Sequence, residues 1–290
     1  MINIHKKIGN TSLVRLKEFE KNNNIKAKIY AKLEYENPFG SIKDRAALQI
    51  INNAEKNNHL SIYTTIIEAT SGNMGIALSG IGKAKGYKVN IVMPENMSDA
   101  RKKLIQDFGA ELILTPSKLG MKGAIDTVHE LLTNRNDIYY TNQFNNYASI
   151  EAHKYGTAPE IFYKLDAKVD VIIAGIGTGA TIMGIAEYFR NTKSSTEIIG
   201  VLPSSHPHQI QGIGAGIDLP LINCDYINRI IKVADEEAFE EKAKILKSEN
   251  LFIGISSGAV IAGCKKLLKS PQYNNKTIVL IFADSGERYK

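Results

Sequence analysis

Lys43 is the residue best suited to covalent chemistry, because it opens a predicted helix. Residues 30–34 alternate apolar and polar side chains, which indicates a strand. Asn37-Pro38 and Gly40 then break the chain, and Ser41 is the expected N-cap. Lys43 falls in the first helical turn, where the positive end of the helix dipole disfavours an ammonium. An amine held there is expected to act as a nucleophile, as Schiff-base lysines do; the alternative is a solvated surface lysine.

Two further motifs are suited to binding anions. Residues 68–75 (EATSGNMG) end a predicted strand and open a helix, and their hydroxyls, amide and backbone N–H groups favour an anion. The alternative is a simple helix cap. Residues 174–181 (AGIGTGAT) form a glycine-rich strand-to-helix loop that is typical of phosphate binding. A dinucleotide site is disfavoured, because the next strand ends in Pro203-Ser204-Ser205 without the acid that would hold a ribose.

Residues 254–259 (GISSGA) again join a short predicted strand to a helix, where the alternative is a plain serine cap. Together with residues 37–45 (NPFGSIKDR), these motifs resemble, in order, those of the cysteine synthase and cystathionine β-synthase family of fold-type II pyridoxal-phosphate enzymes. The resemblance extends from Ile8 to the end of the sequence.

The resemblance implies a role for each motif residue. Lys43 would bind pyridoxal 5'-phosphate as an aldimine and later act as the catalytic base. The implied cofactor ligands are Asn73 at the ring hydroxyl, Gly177, Thr178, Gly179, Ala180 and Thr181 at the phosphate, and Ser256 at the pyridine nitrogen. The implied substrate-carboxylate ligands are Thr70, Ser71, Gly72, Asn73, Met74 and Gln143.

Four residues depart from the family pattern or concern specificity. Met74 replaces a hydroxyl residue and leaves only its backbone N–H for the substrate, whereas Ala180 replaces a glycine and adds one methyl group. Lys232 aligns where many cysteine synthases have a small pocket residue, and its alternative is a solvated lysine. Asp235 has a possible polar role at the cleft edge, and its alternative is a helix cap.

The order of predicted elements indicates an α/β protein, because short β-rich runs alternate with amphipathic helices, which favours mostly parallel sheets. Two groups of such units predict two lobes with a cleft between them. The resemblance specifies a fold like that of the tryptophan synthase β chain, with residues 36–146 in a smaller lobe that carries the substrate loop. Residues 1–35 and 147–290 would form the larger lobe, with the phosphate cup and Ser256.

Composition excludes several other classes of protein. The net charge is +6, but the longest basic run is Arg101-Lys102-Lys103, so a field that attracts small anions is favoured over nucleic-acid binding. No apolar run is long enough for a membrane span, and the N-terminus has no apolar signal region, so a cytoplasmic protein is expected. Cys224 and Cys264 lack metal-ligand spacing, and His206-Pro207-His208 is predicted to be a surface loop; no metal site is expected.

The resemblance implies β-replacement on a small amino acid through an aminoacrylate. O-acetylserine and sulfide, giving cysteine, are the expected substrates. The alternatives are cysteine as first substrate, with release of hydrogen sulfide and addition of water, cysteine or homocysteine, and serine with homocysteine. A protein that keeps the fold but only binds a partner is a hypothesis of another class. A homodimer, and docking of serine acetyltransferase, are implied by the resemblance alone.

Overall fold

The computed structural model describes residues 4–70, 72–214, 216 and 218–289. The chain forms two compact units. Unit 1 contains the described part of Met1–Ile8 together with Asn37–Ser149, and unit 2 contains Gly9–Glu36 and the described part of Ile150–Lys290. Ile4 and Ile8 pack against the apolar core of unit 1, so the assignment of all of residues 1–35 to the larger lobe was wrong for the described N-terminal residues.

The helices and strands alternate along most of the described chain. The strands are β1 (Leu13–Arg15), β2 (Lys28–Leu33), β3 (Thr65–Ala69), β4 (Lys88–Pro94), β5 (Glu111–Thr115), β6 (Ile138–Tyr140), β7 (Val171–Gly175), β8 (Glu197–Pro203), β9 (Arg229–Val233) and β10 (Thr277–Phe282). The α-helices are α1 (Lys17–Asn22), α2 (Lys43–Lys56), α3 (Asn73–Lys85), α4 (Asp99–Asp107), α5 (Gly120–Asn134), α6 (Ala148–Ala152), α7 (Ala158–Lys164), α8 (Ala180–Asn191), α9 (Asp235–Glu249) and α10 (Ile255–Leu267). A π-helical turn, His153–Thr157, joins α6 to α7.

Unit 1 is built on a parallel four-stranded sheet with the order β5-β4-β3-β6. Every residue of β3 is buried, as expected for a central parallel strand covered on both faces. The helix α2 buries apolar residues at helical spacing, which is why this segment folds as an amphipathic helix. These residues are Ala46, Ala47, Ile50, Ile51 and Ala54.

Unit 2 is built on a six-stranded sheet with the order β1-β2-β10-β7-β8-β9. The edge strand β1 is antiparallel to β2, and the other neighbouring pairs are parallel. The helix α10 is buried from Ile255 to Cys264, and a helix that is apolar on all sides is expected to lie in a core. The α/β architecture with mostly parallel sheets agrees with the sequence-based expectation.

The motif loops follow the carboxyl ends of parallel strands. Thr70 follows β3 and Thr141 follows β6, and these strands are neighbours in unit 1. In unit 2, the loop that contains Gly177 follows β7. Ligands of open parallel sheets bind beyond this edge of the sheet, so each unit presents its motif residues where a ligand site is expected.

Across the described ranges, no helix is both long enough and apolar enough to cross a lipid bilayer. The same ranges contain no group of three or more His, Cys, Asp or Glu residues arranged to hold a metal ion. His206 is exposed, and Nε2 of His208 lies 2.9 Å from the Gly214 carbonyl oxygen.

Candidate active site

Lys43 is the first residue of α2 and is half-buried. The backbone N-cap is Ile42 and not Ser41, but the Ser41 hydroxyl accepts a hydrogen bond from the Lys43 N–H at 3.2 Å. The Asp44 carboxylate is fully buried and accepts a hydrogen bond from the Phe39 N–H at 2.6 Å, which closes the turn before the helix. This turn therefore holds the Lys43 backbone in a fixed place at the helix start.

The segment from Thr70 to Met74 connects β3 to α3. The Thr70 hydroxyl accepts a hydrogen bond from the Gly72 N–H at 3.3 Å, and α3 begins at Asn73 with Gly72 as its N-cap. Ser71 lies outside the described residues. The Met74 side chain is 2% exposed and belongs to the apolar core of unit 1. The thioether is therefore part of the core, and the polar groups of this segment come from the other residues and the backbone.

Gln143 lies in the loop after β6 and is buried. The backbone N–H of Gln143 donates a 3.0 Å hydrogen bond to Oε2 of Glu68, and the Thr141 hydroxyl donates to the same oxygen. Complete burial raises the pKa of Glu68 to about 7, although these hydrogen bonds and the positive charge of Lys43 act in the opposite direction. Sequence reasoning missed Glu68; the signal that could have found it is an acid in an otherwise apolar strand.

The predicted phosphate cup lies between β7 and α8, and α8 begins at Ala180. Gly179 has a φ of +89°, a conformation that glycine adopts without strain. A Cβ at Gly177 would overlap the Gly212 carbonyl oxygen, so only glycine allows this close approach of two loops. The Thr178 hydroxyl accepts a hydrogen bond from the Ala180 N–H at 3.3 Å. The cup is thus a tight backbone turn at a helix N-terminus.

Thr181 ends the cup, and its hydroxyl lies 3.3 Å from Nε2 of His153. His153 is buried at the start of the π-helical turn, and its Nδ1 lies 2.9 Å from the Thr157 hydroxyl. The imidazole therefore bridges two threonines. Sequence reasoning missed His153, because nothing in residues 148–165 indicates a π-helical turn.

Ser256 is the second residue of α10 and is 5% exposed. The N-cap of this helix is Gly254, with no side-chain capping bond, so the alternative of a plain serine cap was wrong. A Cβ built at Gly212 would meet the Ser256 hydroxyl at 3.9 Å and no nearer atom, which leaves space beside this hydroxyl. The neighbouring Ser257 hydroxyl instead accepts a hydrogen bond from the Ala283 N–H.

The two specificity candidates lie on β9 and α9. The Lys232 side chain is exposed. The backbone carbonyl of Lys232 accepts a hydrogen bond from Nζ of Lys266 at 2.8 Å. The Asp235 carboxylate accepts a hydrogen bond from the Gln209 N–H at 2.7 Å, while the N-cap of α9 is Ala234. Asp235 therefore anchors the segment between β8 and β9 and does not cap the helix.

Each unit brings part of the predicted set together, and the donors fit pyridoxal phosphate. In unit 1, Glu68 connects the end of β3 with the Gln143 loop and interacts electrostatically with Lys43. In unit 2, Gly212 lies beside both the phosphate cup and Ser256. An amine at a helix start suits the cofactor aldehyde, a backbone turn at a helix N-terminus suits its phosphate, and a buried hydroxyl beside open space suits its ring nitrogen.

Comparison with known proteins agrees with this chemistry. The sequence profile of the family described as "Pyridoxal-phosphate dependent enzyme" matches residues 4–284. A cysteine synthase of Buchnera aphidicola subsp. Schizaphis graminum is 42% identical over 300 aligned positions, which cover 97% of this chain and 92% of that protein.

Solved structures are similar over the whole chain. The cysteine synthase of Entamoeba histolytica has a TM-score of 0.96 and 39% identity, covering 100% of this chain and 89% of that chain. A hydrogen sulfide-producing enzyme of Fusobacterium nucleatum has a TM-score of 0.94 and 36% identity, covering 100% of both chains. The predicted fold class and cofactor family are confirmed: this chain belongs to the pyridoxal-phosphate dependent enzymes.

Proposed function

We propose that this protein is a cysteine synthase that converts O-acetylserine and sulfide to cysteine and acetate. The observation that carries the proposal is the 42% identity, over nearly the whole chain, to a protein named cysteine synthase. The local geometry supports it, because Lys43, the Thr70–Met74 segment and Gln143 belong to one unit and have the chemistry that an amino-acid substrate requires.

Lys43 would hold the cofactor through its amine and, once released, hold the proton taken from the substrate α-carbon. The phosphate would be bound by Gly177, Thr178, Gly179, Ala180 and Thr181, the ring hydroxyl by Asn73 and the ring nitrogen by Ser256. When bound, pyridoxal phosphate withdraws electrons from the α-carbon, so that the α-proton and the β-substituent can leave.

Ser256 bears on the type of reaction. A neutral hydroxyl does not keep the ring nitrogen protonated as a carboxylate would, so electron withdrawal is weaker. This favours rapid loss of the β-substituent. Thr70, Ser71, Gly72, Asn73, the Met74 backbone and Gln143 would hold the substrate carboxylate, and Lys232 and Asp235 would influence specificity.

A second candidate reaction starts from cysteine and releases hydrogen sulfide, with water, cysteine or homocysteine as the second reactant. It is favoured by the similarity to a hydrogen sulfide-producing enzyme that this chain matches over the full length of both chains. The reaction uses the same residues, because only the leaving group and the nucleophile differ.

We further propose a cytoplasmic homodimer, with serine acetyltransferase as a possible partner, on the basis of family resemblance. The larger lobe would carry the phosphate cup and the smaller lobe the substrate loop. Gel filtration with light scattering, alone and with serine acetyltransferase added, tests the assembly. A monomer that does not bind the acetyltransferase would overturn both proposals.

The function is tested by measuring products with the purified holoenzyme. Cysteine from O-acetylserine and sulfide, at a higher kcat/KM than sulfide release from cysteine, is the expected result; the reverse order would establish the second reaction. Lys43→Ala is expected to reduce kcat by at least ~10³-fold, as for loss of a general base. Lys122→Ala is the matched control, because the Lys122 side chain is 84% exposed on α5. Undiminished activity of Lys43→Ala would refute the mechanism.

A further inference from the structure

Glu68 is a buried acid for which the proposed reaction has no direct use. It is the fourth residue of β3, is 0% exposed, and pairs across the sheet with Ile91 of β4. A buried carboxyl group without hydrogen bonds would strongly destabilise the fold, so its contacts indicate why it is tolerated.

The carboxyl group of Glu68 interacts with the loop after β6 and with the backbone N–H of Ala69 in its own strand. Its Oε2 accepts hydrogen bonds from the Gln143 N–H at 3.0 Å and from the Thr141 hydroxyl, and both donor residues are buried. Between them, Asn142 has a φ of +45°, so the loop turns sharply where Glu68 holds it. No described residue forms a hydrogen bond with Oε1 of Glu68. One carboxyl group therefore fixes the turn that presents Gln143, and it retains an oxygen that can carry a proton.

The charged and titratable groups that interact with Glu68 come from α2 and β6. The positive charge of Lys43 in α2 acts on Glu68, and the Glu68 charge acts on Tyr139 and Tyr140 of β6. Because side chains alternate along a strand, Glu68 shares its face of β3 with Ile66, which belongs to the apolar core of unit 1. The hydrogen bonds and Lys43 favour the anion, but complete burial outweighs them, so the ionised form of Glu68 is disfavoured.

We propose that Glu68 is a positioning residue that holds Gln143 in place and is neutral when the amino-acid substrate binds, so that its ionisation weakens binding of the substrate carboxylate. The inference rests on the proposed function, because Gln143 and the Thr70–Met74 segment are the proposed carboxylate ligands. The pKa of about 7 places this ionisation in the range where the enzyme can be assayed. Two carboxylates close together disfavour one another, which gives the direction of the effect.

The test compares wild type with Glu68→Gln, a variant of the same shape that cannot ionise. The readout is the dissociation constant of the holoenzyme for L-alanine, which has the same carboxylate but no leaving group, from visible titrations at pH 6 and pH 8.5. Between pH 6 and pH 8.5, the dissociation constant of wild type for L-alanine is expected to rise ~10-fold more than that of Glu68→Gln. Deprotonation of the L-alanine amine affects both proteins equally. Glu130→Gln, on the exposed side of α5, is the matched control and should follow wild type.

The control experiments separate the two proposals. A wild type that binds cofactor and turns over substrate, with a pH dependence identical to that of Glu68→Gln, would refute the role of Glu68 alone. A wild type without cofactor absorbance or turnover would refute the proposed function. If Glu68→Gln does not fold, ¹³C NMR of wild-type protein labelled at the glutamate carboxyl carbons decides: one glutamate titrating near pH 7 supports the proposal, and only ordinary titrations below pH 5.5 overturn it.

Discussion

Replacement of Met74 by threonine tests where this side chain lies. Met74 occupies a position where the family pattern has a hydroxyl residue, yet it is 2% exposed in the apolar core of unit 1. Truncation of a buried methionine to alanine costs about 2–5 kcal/mol, and burial of a hydroxyl without a partner adds about 1–3 kcal/mol. Since threonine refills part of the space, we expect Met74→Thr to lower the free energy of unfolding by about 3–5 kcal/mol.

The assay is thermal and urea unfolding of the holoenzyme. With an unfolding entropy of about 2.1 cal/mol/K per residue, a chain of 290 residues loses about 1.6 °C of Tm per kcal/mol, so Met74→Thr is expected to lower Tm by about 5–8 °C. Met74→Leu, which conserves volume, is the matched control and should lower stability by less than ~1.5 kcal/mol. The ratio of kcat/KM for O-acetylserine to that for cysteine should also change. Expressed as a free energy, this change should be smaller than the change in the free energy of unfolding. A stable Met74→Thr with a large change in this ratio would show that the side chain faces the substrate.

Three other perturbations test particular side chains. His153→Asn removes the 3.3 Å contact with Thr181, so we expect ~10-fold weaker cofactor binding and a shifted ³¹P resonance of the bound phosphate; an unchanged resonance would contradict this. Cys224 is exposed, whereas burial raises the pKa of Cys264 to about 12, so a thiol reagent should modify only Cys224 until urea unfolds the protein. Because folding raises the pKa of Glu68 from 4.5 to about 7, folding binds a proton in this window, and stability should fall by about 3 kcal/mol between pH 4.5 and pH 7 relative to Glu68→Gln. Parallel urea curves at these two pH values would contradict that expectation.

Apolar runs and apolar spacing indicate most of the elements. The continuous apolar run at residues 277–282 is typical of a buried parallel strand and forms β10, whereas α9 buries Ala238, Glu241 and Ile245 at helical spacing. Periodicity failed for β1 and β6, which have three residues each and are too short to show a repeat. The sequence also indicates a strand-to-helix connection at residues 254–259, although α10 already begins at Ile255, because Ser256 and Ser257 resemble a turn in sequence.

The candidate residues were predicted where they form a continuous motif. Lys43 at the start of α2 and the glycines before α8 have local signals that do not depend on distant chain segments. Glu68 and His153 have no such signal, because their partners are supplied by folding: Gln143 lies 75 positions from Glu68, and Thr181 lies 28 positions from His153. A sequence shows that a polar residue stands in an apolar element, but only the fold shows which group it pairs with.

The same distinction explains a difference in burial. Glu68 and His153, which hold other residues in place, are buried, whereas some of the proposed ligands are only half-buried. Lys43 and Thr181 are half-buried, as groups that must reach a ligand are expected to be, whereas Glu68 and His153 are each no more than 1% exposed. A hydrogen bond in the dry interior is stronger and permits less movement than one in water. Glu68 and His153 can therefore hold Gln143 and Thr181 within the small positional tolerance that substrate and phosphate binding require. Substitutions of Glu68 and His153 should therefore weaken binding of the substrate and of the cofactor phosphate more than they slow the chemical step at Lys43.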